Sequence, residues 1–469
     1  MKLSPPTVGP IIGYTTPTQS RMLIRGEVER SGTDFRRCFA VVRWKRTTGK
    51  SWSDPLFNKL SPNFDMTGVL VLDNLSPDTE YEYQAGWFFA DAELDKIQEL
   101  TEKQIEWPES SVRFKTGTTK RSAGRSYVVG SCRYLLRLFG GTIFDDRGDK
   151  TFRSVLEQID EKSMPVDAVL MIGDQIYADD LNVLSPDTRL DQFLDRYRTV
   201  FSQENVAKLM ARVPTYMILD DHEIEDNWPA KATPQDRVTL YPHAIHAYQI
   251  YQCSHSPLFT STRDGRIEGT LAHFWYQFED GCADWFVLDA RTERMVSPAE
   301  PQMINDTQMR ALLLWLNDGS GKVKFVVSSV PVFPDLTSDS ADKWGAFPKQ
   351  RTKILDYILT NKISKVVFLS GDVHCSFVAQ LTAESDPKFS VYSVVSSSFF
   401  WPYPHTEQSD FLFGQALSGT GDEKYISKRL STVFSTDNFA RLDVNLTELR
   451  VSFFERKGDL LGKVIKLPL

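Results

Sequence analysis

Short apolar runs separated by turn residues fill the first part of the chain. Each run is rich in Val, Thr, Tyr and Phe and alternates in character along its length, as half-buried strands do. The runs are SRMLIRGEV, CFAVVRWKR, GVLVLDNL and TEYEYQAGWFF, with Pro, Gly, Asn and Asp between them. This pattern predicts a small β-sandwich over residues 1–120.

The pattern changes after a polar stretch at residues 115–125, whose Gly, Ser and Thr content is typical of a linker. From there apolar strands alternate with helical segments, such as VDAVLMIG followed by LDQFLDRYRTVF. Such alternation predicts a largely parallel sheet layered with helices. A polar, Pro-rich insertion at residues 229–270 carries one predicted amphipathic helix near residues 243–252. We therefore predict two domains, at residues 1–120 and 121–469.

Composition narrows the class of protein. The 469 residues include 54 Lys and Arg against 62 Asp and Glu, a formal net charge of −8, which predicts no general binding to nucleic acid or anionic membranes. No apolar run approaches the length that spans a bilayer, and the N-terminus MKLSPPTVGPIIGYTTP shows no apolar export signal and no twin arginine. Five sparse cysteines indicate a reducing compartment. The chain is therefore predicted to be cytoplasmic, with its oligomeric state left open.

Several predicted strands end in side chains that can bind metal ions. These are Cys132 after YVVGS, Asp174 and Tyr177 after AVLMIG, Asp220, Asp221 and His222 after TYMIL, Asp289 and Arg291 after WFVL, and Asp372 and His374 after VVFLSG. Because the carboxyl ends of parallel strands meet at one edge of a sheet, these side chains are expected to converge. A polar turn explains one such strand end, whereas the whole set predicts a polynuclear metal site.

Some residues near these ends have a structural interpretation as well as a functional one. Asp220 could bind metal or hold His222 in one tautomer. Asp179 is expected to begin a helix, whereas Asn227 could bind a divalent ion. Cys375, on the opposite side of an extended segment, is expected to lie in the core.

Five blocks in the second predicted domain resemble the PhoD-like alkaline phosphatases and phosphodiesterases, of the calcineurin-like metallophosphoesterase superfamily. In order they are GDQIYADD, DDHEIEDNW, LDARTER, DKWGAFPKQR and GDVHCSF, and GPIIGYTTPTQSRMLIRG resembles the start of that family's N-terminal sandwich. The piece DNLSPDTEYEYQAGW resembles a fibronectin type III hairpin, in which Leu75, Tyr81 and Tyr83 would anchor the corner. The resemblance covers nearly the whole chain. It implies an α/β fold: a four-layer sandwich, two sheets flanked by helices, preceded by a fibronectin III-like β-sandwich.

The resemblance also implies a centre of iron(III) with one or two divalent ions, calcium first and zinc or manganese as alternatives. Carried over residue by residue, it implies that Cys132 and Tyr177 bind iron, Asp174 bridges metals, Asp221, Asp372 and His374 bind metal, His222 contacts the phosphoryl group, and Arg291 binds substrate. Trp344, in the DKWGAF block, could form a wall of the substrate site or pack in the core. The donor chemistry agrees, since thiolate and phenolate favour a trivalent ion and carboxylates suit a harder divalent ion.

Together these residues predict a phosphoric ester hydrolase. A metal-activated hydroxide would attack phosphorus, His222 would assist the leaving group, and Arg291 would stabilise the transition state. The expected substrate is a small phosphoester, either a monoester or a diester, and no nucleic acid or membrane partner is expected. Two alternatives stay open. One is another dinuclear metallophosphodiesterase, with zinc or manganese and no need for Cys132; the other is a non-catalytic binding protein that retains the fold.

Overall fold

Two antiparallel sheets that share an apolar cluster form the N-terminal region. The computed structural model describes residues 1–29, 36–138, 142–182, 186–296, 299–338 and 340–469. The first strands are β1 (Val8–Thr15), β2 (Ser20–Arg25), β3 (Arg37–Arg46), β4 (Leu56–Lys59), β5 (Thr67–Leu72), β6 (Glu80–Ala90) and β7 (Val112–Lys115). They pair in the orders β1-β2-β5 and β4-β3-β6-β7. Met22, Val42 and Tyr83 contribute to the shared cluster, as the alternation of side chains along strands requires.

Two larger sheets follow. Their strands, with two short hairpins, are β8 (Arg125–Gly130), β9 (Leu136–Leu138), β10 (Thr142–Asp145), β11 (Ala168–Ile172), β12 (Thr215–Ile218), β13 (Thr260–Ser261), β14 (Ile267–Glu268), β15 (Tyr276–Asp280), β16 (Ala283–Val287), β17 (Val323–Val327), β18 (Val366–Ser370), β19 (Phe377–Ala383), β20 (Val391–Val395), β21 (Ala416–Ser418), β22 (Lys424–Arg429), β23 (Asn438–Val444), β24 (Glu448–Glu455) and β25 (Leu460–Pro468). One sheet has the order β12-β11-β8-β23-β24-β25, and the other has the order β15-β16-β17-β18-β20-β19-β22-β21.

Each large sheet combines parallel and antiparallel strands. Strands β8, β11 and β12 are parallel in the first sheet, and β16, β17, β18 and β20 are parallel in the second. The remaining strands pair antiparallel with them or with one another. The strand–helix alternation in the sequence predicted the parallel strands. It did not predict β21 to β25, because these strands follow one another without intervening α-helices.

The helices lie mainly between the parallel strands. They are α1 (Leu94–Ile97), α2 (Arg147–Asp160), α3 (Leu190–Phe201), α4 (Glu204–Met210), α5 (Pro234–Val238), α6 (Leu240–Tyr248), α7 (Asp306–Leu316) and α8 (Pro348–Thr360). A π-helix, Gln249–Cys253, continues directly from α6, so the helix predicted in the insertion starts earlier and changes form. No helix in the described ranges combines the length and the apolar content that crossing a membrane requires.

Opposite faces of one strand pack in different apolar clusters. Val169 and Met171 of β11 belong to a cluster with residues of α2, α3 and α4. Leu170 and Ile172 belong to a second cluster that includes Trp285 of the other large sheet. Helices α7 and α8 pack against the second sheet in a third cluster. Burial on both faces explains why the sequence of β11 is an unbroken apolar run. The predicted mixed α/β class is confirmed.

A shared carboxylate connects the N-terminal sheets to the larger part of the molecule. Asp65 accepts hydrogen bonds from Arg198 of α3 at 2.8 Å and from the Tyr251 hydroxyl of the π-helix. The same π-helix reaches the candidate site through Gln252. The predicted division near residue 120 falls between β7 and β8 and stays a prediction.

Candidate metal centre

Ends of strands from both large sheets meet around one cavity. The cavity has a volume of about 320 Å³ and is lined by Asp174, Asp221 and His222 from the first sheet and by Asp372 and His374 from the second. The structure therefore brings together residues that lie up to 200 positions apart in the chain. Their roles as ligands stay predictions.

Asp174 lies just after β11 in a backbone conformation that few residues adopt. Its φ is 55°, and Gly173 before it has φ 109°. A Cβ at Gly173 would lie 2.7 Å from the Cβ of Asp220, so glycine lets the loops after β11 and β12 approach closely. Oδ2 of Asp174 accepts hydrogen bonds from Cys132 Sγ at 3.3 Å and from the Tyr177 hydroxyl at 3.4 Å. Oδ1 is buried and has no hydrogen-bond partner among the described residues.

Two groups of side chains have the spacing that a metal ion needs. One donor atom from each of Asp174, Asp221 and His222 lies within 4.8 Å of the others, and Asp220, Asp221 and Asp372 form a second such group. Asp221 belongs to both groups, so two neighbouring ions could share its carboxylate. Carboxylate oxygens clustered in this way suit hard divalent cations.

His222 is oriented by a carboxylate from the neighbouring loop. Asp179 Oδ2 lies 2.8 Å from Nδ1 of His222, which leaves Nε2 as the nitrogen that the ring can offer to a substrate. Asp179 Oδ1 also accepts a hydrogen bond from the main-chain N–H of Leu181 at 3.2 Å, in the short 3-10 helix that follows. Asp220 was considered for the orienting role, but its Oδ1 instead accepts a hydrogen bond from Nε of Arg291.

Asp372 and His374 approach the cavity from β18. The His374 ring stacks on Trp401, with ring centroids 3.7 Å apart and 15° between the planes. Its main-chain N–H donates to Ser397 Oγ at 3.0 Å, while Nε2 is buried without a hydrogen-bond partner in the described part of the chain. A buried imidazole nitrogen in this state is suited to bind a metal ion.

Left-handed backbone conformations concentrate around the cavity. The non-glycine residues with φ between 51° and 69° here are Cys132, Asp174, Leu181, Asn227, Asp372 and His374. Each such residue costs on the order of 1–3 kcal/mol, and they persist where the surrounding structure holds them for function. Asn227, considered as a ligand, lines the cavity and donates its main-chain N–H to Asp221 Oδ2 at 2.6 Å.

Cys132 is fully buried beside Asp174 and contacts two hydroxyl groups. Ser397 Oγ donates to Sγ at 3.1 Å, and Ser131 Oγ lies 3.2 Å from it. Burial raises the pKa of the Cys132 thiol well above its usual range, and the charge of Asp174 raises it further. Burial likewise raises the pKa of Tyr177. A cation bound beside them would favour the thiolate and the phenolate and release their protons.

Arg291 is fully buried, and its guanidinium contacts carboxylates. Nη1 and Nη2 donate to Asp342 at 2.7 and 2.9 Å, and Nε donates to Asp220. The nearest oxygens of Asp221 and Asp372 lie 3.3 and 3.7 Å from Nη2. Within the described ranges Arg291 is not part of the cavity lining. Contact with a substrate, as expected from the sequence, would require this pairing to open.

Trp344 lies in the core between the second sheet and its helices. Its side chain is fully buried in that apolar cluster, and the indole N–H donates to Ser328 Oγ at 3.0 Å. It is not among the described residues that line the cavity, so the geometry supports packing and gives no support to substrate contact. Cys375 lies in the same cluster, as expected.

The buried carboxylates of the site crowd one another. Burial raises the pKa of Asp174 well above its usual range. Burial also raises the pKa of Asp372 to about 8, although Lys343 acts in the opposite direction. For Asp221 burial acts upward too, but the positive charges of Arg291, His222 and Lys343 together outweigh it and lower the pKa. A multivalent cation at this position would supply the missing positive charge.

The two histidines at the cavity have opposite pKa shifts. Burial disfavours a proton on His222, but the carboxylates of Asp221 and Asp179 outweigh burial and raise its pKa well above the usual value. Burial lowers the pKa of His374, and the charge of His222 lowers it further. A protonated His222 is suited to donate a proton, and a neutral His374 is suited to bind a metal.

Sequence reasoning missed three residues of the site. Asp342 pairs with Arg291, Ser397 contacts Cys132, and Glu223 accepts hydrogen bonds from main-chain N–H groups of the ligand-bearing loops. Burial raises the pKa of Glu223 to about 7. Glu223 and Asp342 lie inside recognised blocks, DDHEIEDNW and DKWGAFPKQR, and Ser397 follows the strand run VYSVV. The signals were therefore present, but hydrogen-bond partners depend on the path of the loops.

The side chains of the cavity fit metal ions. Asp174 Oδ1, Asp220 Oδ2 and His374 Nε2 are buried without hydrogen-bond partners among the described residues. Polar atoms are rarely left in that state, because burial without a partner is unfavourable. Carboxylate, imidazole, thiol and phenol groups together provide ligands for both a trivalent ion and harder divalent ions.

Comparisons with known proteins point to one family. The family model of the PhoD-like phosphatases matches residues 139–452. Alkaline phosphatase D of Bacillus subtilis (strain 168) is 28% identical over 228 residues, a match that covers 41% of this chain but only 36% of that protein. A solved structure of PhoD superposes with a TM-score of 0.70 at 16% identity, covering 99% of this chain and 89% of the other. At that identity the structural likeness is evidence of the fold alone.

Proposed function

We propose that this chain, which belongs to the PhoD-like phosphatase family, hydrolyses phosphoric esters at the cavity described above. The observation that carries the proposal is the convergence of metal-binding side chains from separate strands around buried atoms that lack partners within the described residues. Small phosphoesters are the proposed substrates, and a cavity of about 320 Å³ accommodates either monoesters or diesters.

The proposed metal ligands divide between the two large sheets. Iron(III) would be held by Cys132, Tyr177 and Asp174, and one or two divalent ions by Asp174, Asp221, Asp372 and His374, with calcium proposed first and zinc or manganese as alternatives. When bound, such ions supply positive charge to the phosphoryl oxygens and lower the pKa of a water from about 15.7 toward about 7. Oδ2 of Asp174 faces the thiol and the phenol, which supports the proposed bridging role of this carboxylate.

The proposed proton donor to the leaving alcohol is His222. Its Nδ1 is engaged by Asp179, so Nε2 is the nitrogen that can give a proton. For Arg291 we propose a holding role in place of the substrate contact expected from the sequence. Its guanidinium joins Asp220 of the loop after β12 to Asp342 of a separate segment, and both contacts are buried.

The proposed architecture is a four-layer sandwich of helices, two sheets and helices, preceded by a fibronectin III-like β-sandwich. The apolar cluster that contains both Leu170 and Trp285 supports it, because these residues come from different large sheets. The two clusters that contain the helices lie on the other faces of those sheets. Domains at residues 1–120 and 121–469 complete this proposal.

Elemental analysis by mass spectrometry tests the centre directly. Protein purified without chelators should carry about one iron and one or two divalent ions per chain, and it should hydrolyse a chromogenic phosphoester. Zinc or manganese without iron would favour the other dinuclear metallophosphodiesterase. Protein that neither contains metal nor binds added ions would favour the non-catalytic alternative.

Cys132→Ser sharpens that test. We expect it to lose iron, visible absorption and most activity, because a hydroxyl is a poor replacement for a thiolate ligand of a trivalent ion. The matched control is Cys38→Ser, at a buried cysteine of the N-terminal cluster, which should keep its metal content. Full iron content and activity in Cys132→Ser would contradict the iron–thiolate assignment.

A further inference from the structure

Glu223, in the loop after β12, is fully buried, and the chemistry proposed above gives it no role. Its carboxylate accepts hydrogen bonds from the main-chain N–H groups of Asp174 at 3.2 Å, Gln175 at 2.6 Å and Asp220 at 2.9 Å. Gln252 Nε2 donates to the same carboxylate at 3.2 Å. One side chain therefore collects donors from two loops and from the π-helix.

From this geometry we infer that Glu223 is a positioning residue for the metal centre, whose carboxylate fixes the main chain of the two loops that carry Asp174 and Asp221. The inference rests on the proposed function, because that proposal assigns those loops to metal binding. Glu223 itself is not proposed as a ligand, since its oxygens are engaged by the N–H groups.

The hydrogen bonds of Glu223 join neighbouring strand ends. Asp174 and Gln175 belong to the loop after β11, whereas Asp220 belongs to the loop after β12. Bonds from N–H groups to a carboxylate are stronger than those to a neutral acceptor. The bond to the N–H of Asp174 holds that residue at φ 55°, which sets the direction of its side chain. A shift of either loop would move apart the ligand atoms of Asp174 and Asp221, which lie within 4.8 Å of each other.

Only a side chain whose two terminal atoms both accept hydrogen bonds suits the position of Glu223. The three main-chain N–H groups and Gln252 Nε2 that contact the Glu223 carboxylate are all donors, and an ionised carboxylate accepts on both oxygens. A glutamine there would place its NH₂ group against donors in either orientation: against Gln175 and Gln252, or against Asp174 and Asp220. The substitution keeps the size of the side chain and removes the property that the inference requires.

The π-helix holds the Glu223 carboxylate through the side chain of Gln252. Gln252 Nε2 also donates to the Tyr197 hydroxyl at 3.1 Å, which fixes the amide between α3 and the loop. π-helical turns occur frequently at functional sites, where they redirect a side chain. Because Tyr251 of the same turn donates to Asp65, the support for Glu223 extends to the N-terminal sheets.

The experiment compares metal affinity in the full-length protein and in Glu223→Gln. Mn²⁺ is titrated against a fluorescent chelator, so the readout does not depend on hydrolysis. We expect binding to weaken by about 10- to 100-fold, the usual effect of removing a partner that orients ligands. Activity lost at stoichiometric Mn²⁺ should be largely recovered at saturating Mn²⁺, with kcat changing more than KM.

Two further variants complete the design. Glu225→Gln makes the same chemical change two residues on, at a partly exposed side chain, and should keep wild-type affinity. Gln252→Met removes one donor to Glu223 and should weaken binding by a few-fold. It also provides the measurement if Glu223→Gln does not fold.

Specific outcomes would overturn the inference. The inference is wrong if folded Glu223→Gln binds Mn²⁺ with wild-type affinity, or if Glu225→Gln loses as much affinity as Glu223→Gln. If Glu223→Gln does not fold, unchanged Mn²⁺ affinity in Gln252→Met would contradict the inference. Failure of the proposed function looks different: the wild-type protein would bind Mn²⁺ and hydrolyse no phosphoester, while the affinity difference between Glu223→Gln and Glu225→Gln would still support the positioning role.

Discussion

Arg125, the first residue of β8, and Asp174, just after β11, mark opposite ends of the same parallel strands. Arg125 donates to Asp280 through Nε at 2.8 Å and contacts it through Nη2 at 2.7 Å, and it pairs with Asp167 at 3.0 Å. The other oxygen of Asp167 accepts the main-chain N–H of Ser126 at 2.8 Å. Each carboxylate oxygen of this cluster therefore has an N–H donor or the Arg125 guanidinium within 3.0 Å, although Asp280 Oδ1 has only the ion-pair contact and no hydrogen bond within the described residues.

The cluster at Asp174 is different. Asp174 Oδ1 and Asp220 Oδ2 are buried without hydrogen-bond partners in the part of the chain that the structure describes. Burial raises the pKa values of both carboxyl groups, and it also raises the pKa of Asp280 in the cluster at Arg125, so the difference between the two ends lies in the contacts of the carboxylate oxygens. Both ends are buried and rich in charge. A cluster that is satisfied internally contributes to stability, whereas an unsatisfied one is prepared to bind a cation.

The largest expected effect comes from Asp174→Asn, which breaks the incomplete cluster. We expect kcat/KM for a chromogenic phosphoester to fall by at least about 10²- to 10³-fold, because the carboxylate proposed to bridge the metal ions is lost. Thermal stability should stay close to wild type, since one crowded negative charge has been removed. Asp167→Asn, the same substitution at the complete cluster, is the control and should keep activity per folded molecule. An unchanged rate in Asp174→Asn would contradict the assigned centre.

Arg125→Met should give the reverse of the Asp174→Asn result, with stability reduced and activity retained. It leaves Asp167 and Asp280 buried without their cation, and breaking a buried pair in this way costs about 3–5 kcal/mol of unfolding free energy. Activity of the folded fraction should be unchanged, because Arg125 lies at the far end of the strands from the cavity. Urea unfolding measures the effect. Lys208→Met, which removes an exposed pair with Glu204, should cost about 1 kcal/mol or less. If Arg125→Met reduced activity and left stability intact, the contrast between the two ends would be wrong.

A smaller expected effect is a pH dependence of the unfolding free energy that does not depend on the chemistry of the cavity. Burial lowers the pKa of His255 to about 4; this residue packs against β1 and is not among the described residues that line the cavity. The unfolded chain takes up a proton near pH 6.5 that the folded chain takes up only near pH 4, so stability falls as the pH drops through that window. At pH 4.5 the loss relative to neutral pH is about 2–3 kcal/mol.

His255→Gln tests this prediction because an amide does not titrate. The unfolding free energies of both proteins are measured between pH 7 and pH 4.5. The difference between them should change by about 2–3 kcal/mol over this range, because only the wild type loses the contribution of the neutral His255 ring. Parallel curves over this range would show that His255 does not supply the effect. Metal content at neutral pH should be the same in both proteins.

Much of the candidate site followed from sequence because the relevant information is local. An apolar run followed by Gly-Asp or Asp-His predicts a strand end with ligands, and parallel strands must place such ends at one edge. Asp174, Asp221, His222, Asp372 and His374 could therefore be expected to lie together. The antiparallel strands β21 to β25 were not predicted, since no α-helices separate them and the strand–helix alternation stops before them.

Other features could not be read from the chain. The DKWGAF block contains both Trp344 and Asp342, yet the structure buries the tryptophan in the core and pairs the aspartate with Arg291. Which side chain of a recognised block faces a cavity depends on how its loop turns, and no periodicity governs loops. The partner of His222 is Asp179, 43 residues away, instead of its neighbour Asp220, for the same reason.

The amino-acid sequence was sufficient to predict the residue types at the strand ends, the mixed α/β class and the metal-binding character of the predicted site. These properties depend on the order of apolar and polar residues over a few positions. Which polar groups have partners depends instead on how the chain folds: folding buries Arg291 among carboxylates, leaves Asp174 Oδ1 without a partner among the described residues, and gives Glu223 its main-chain donors. Burial and hydrogen bonding are set by loops that meet only after the two large sheets have packed together, so residues distant in the chain determine the charge state of the site.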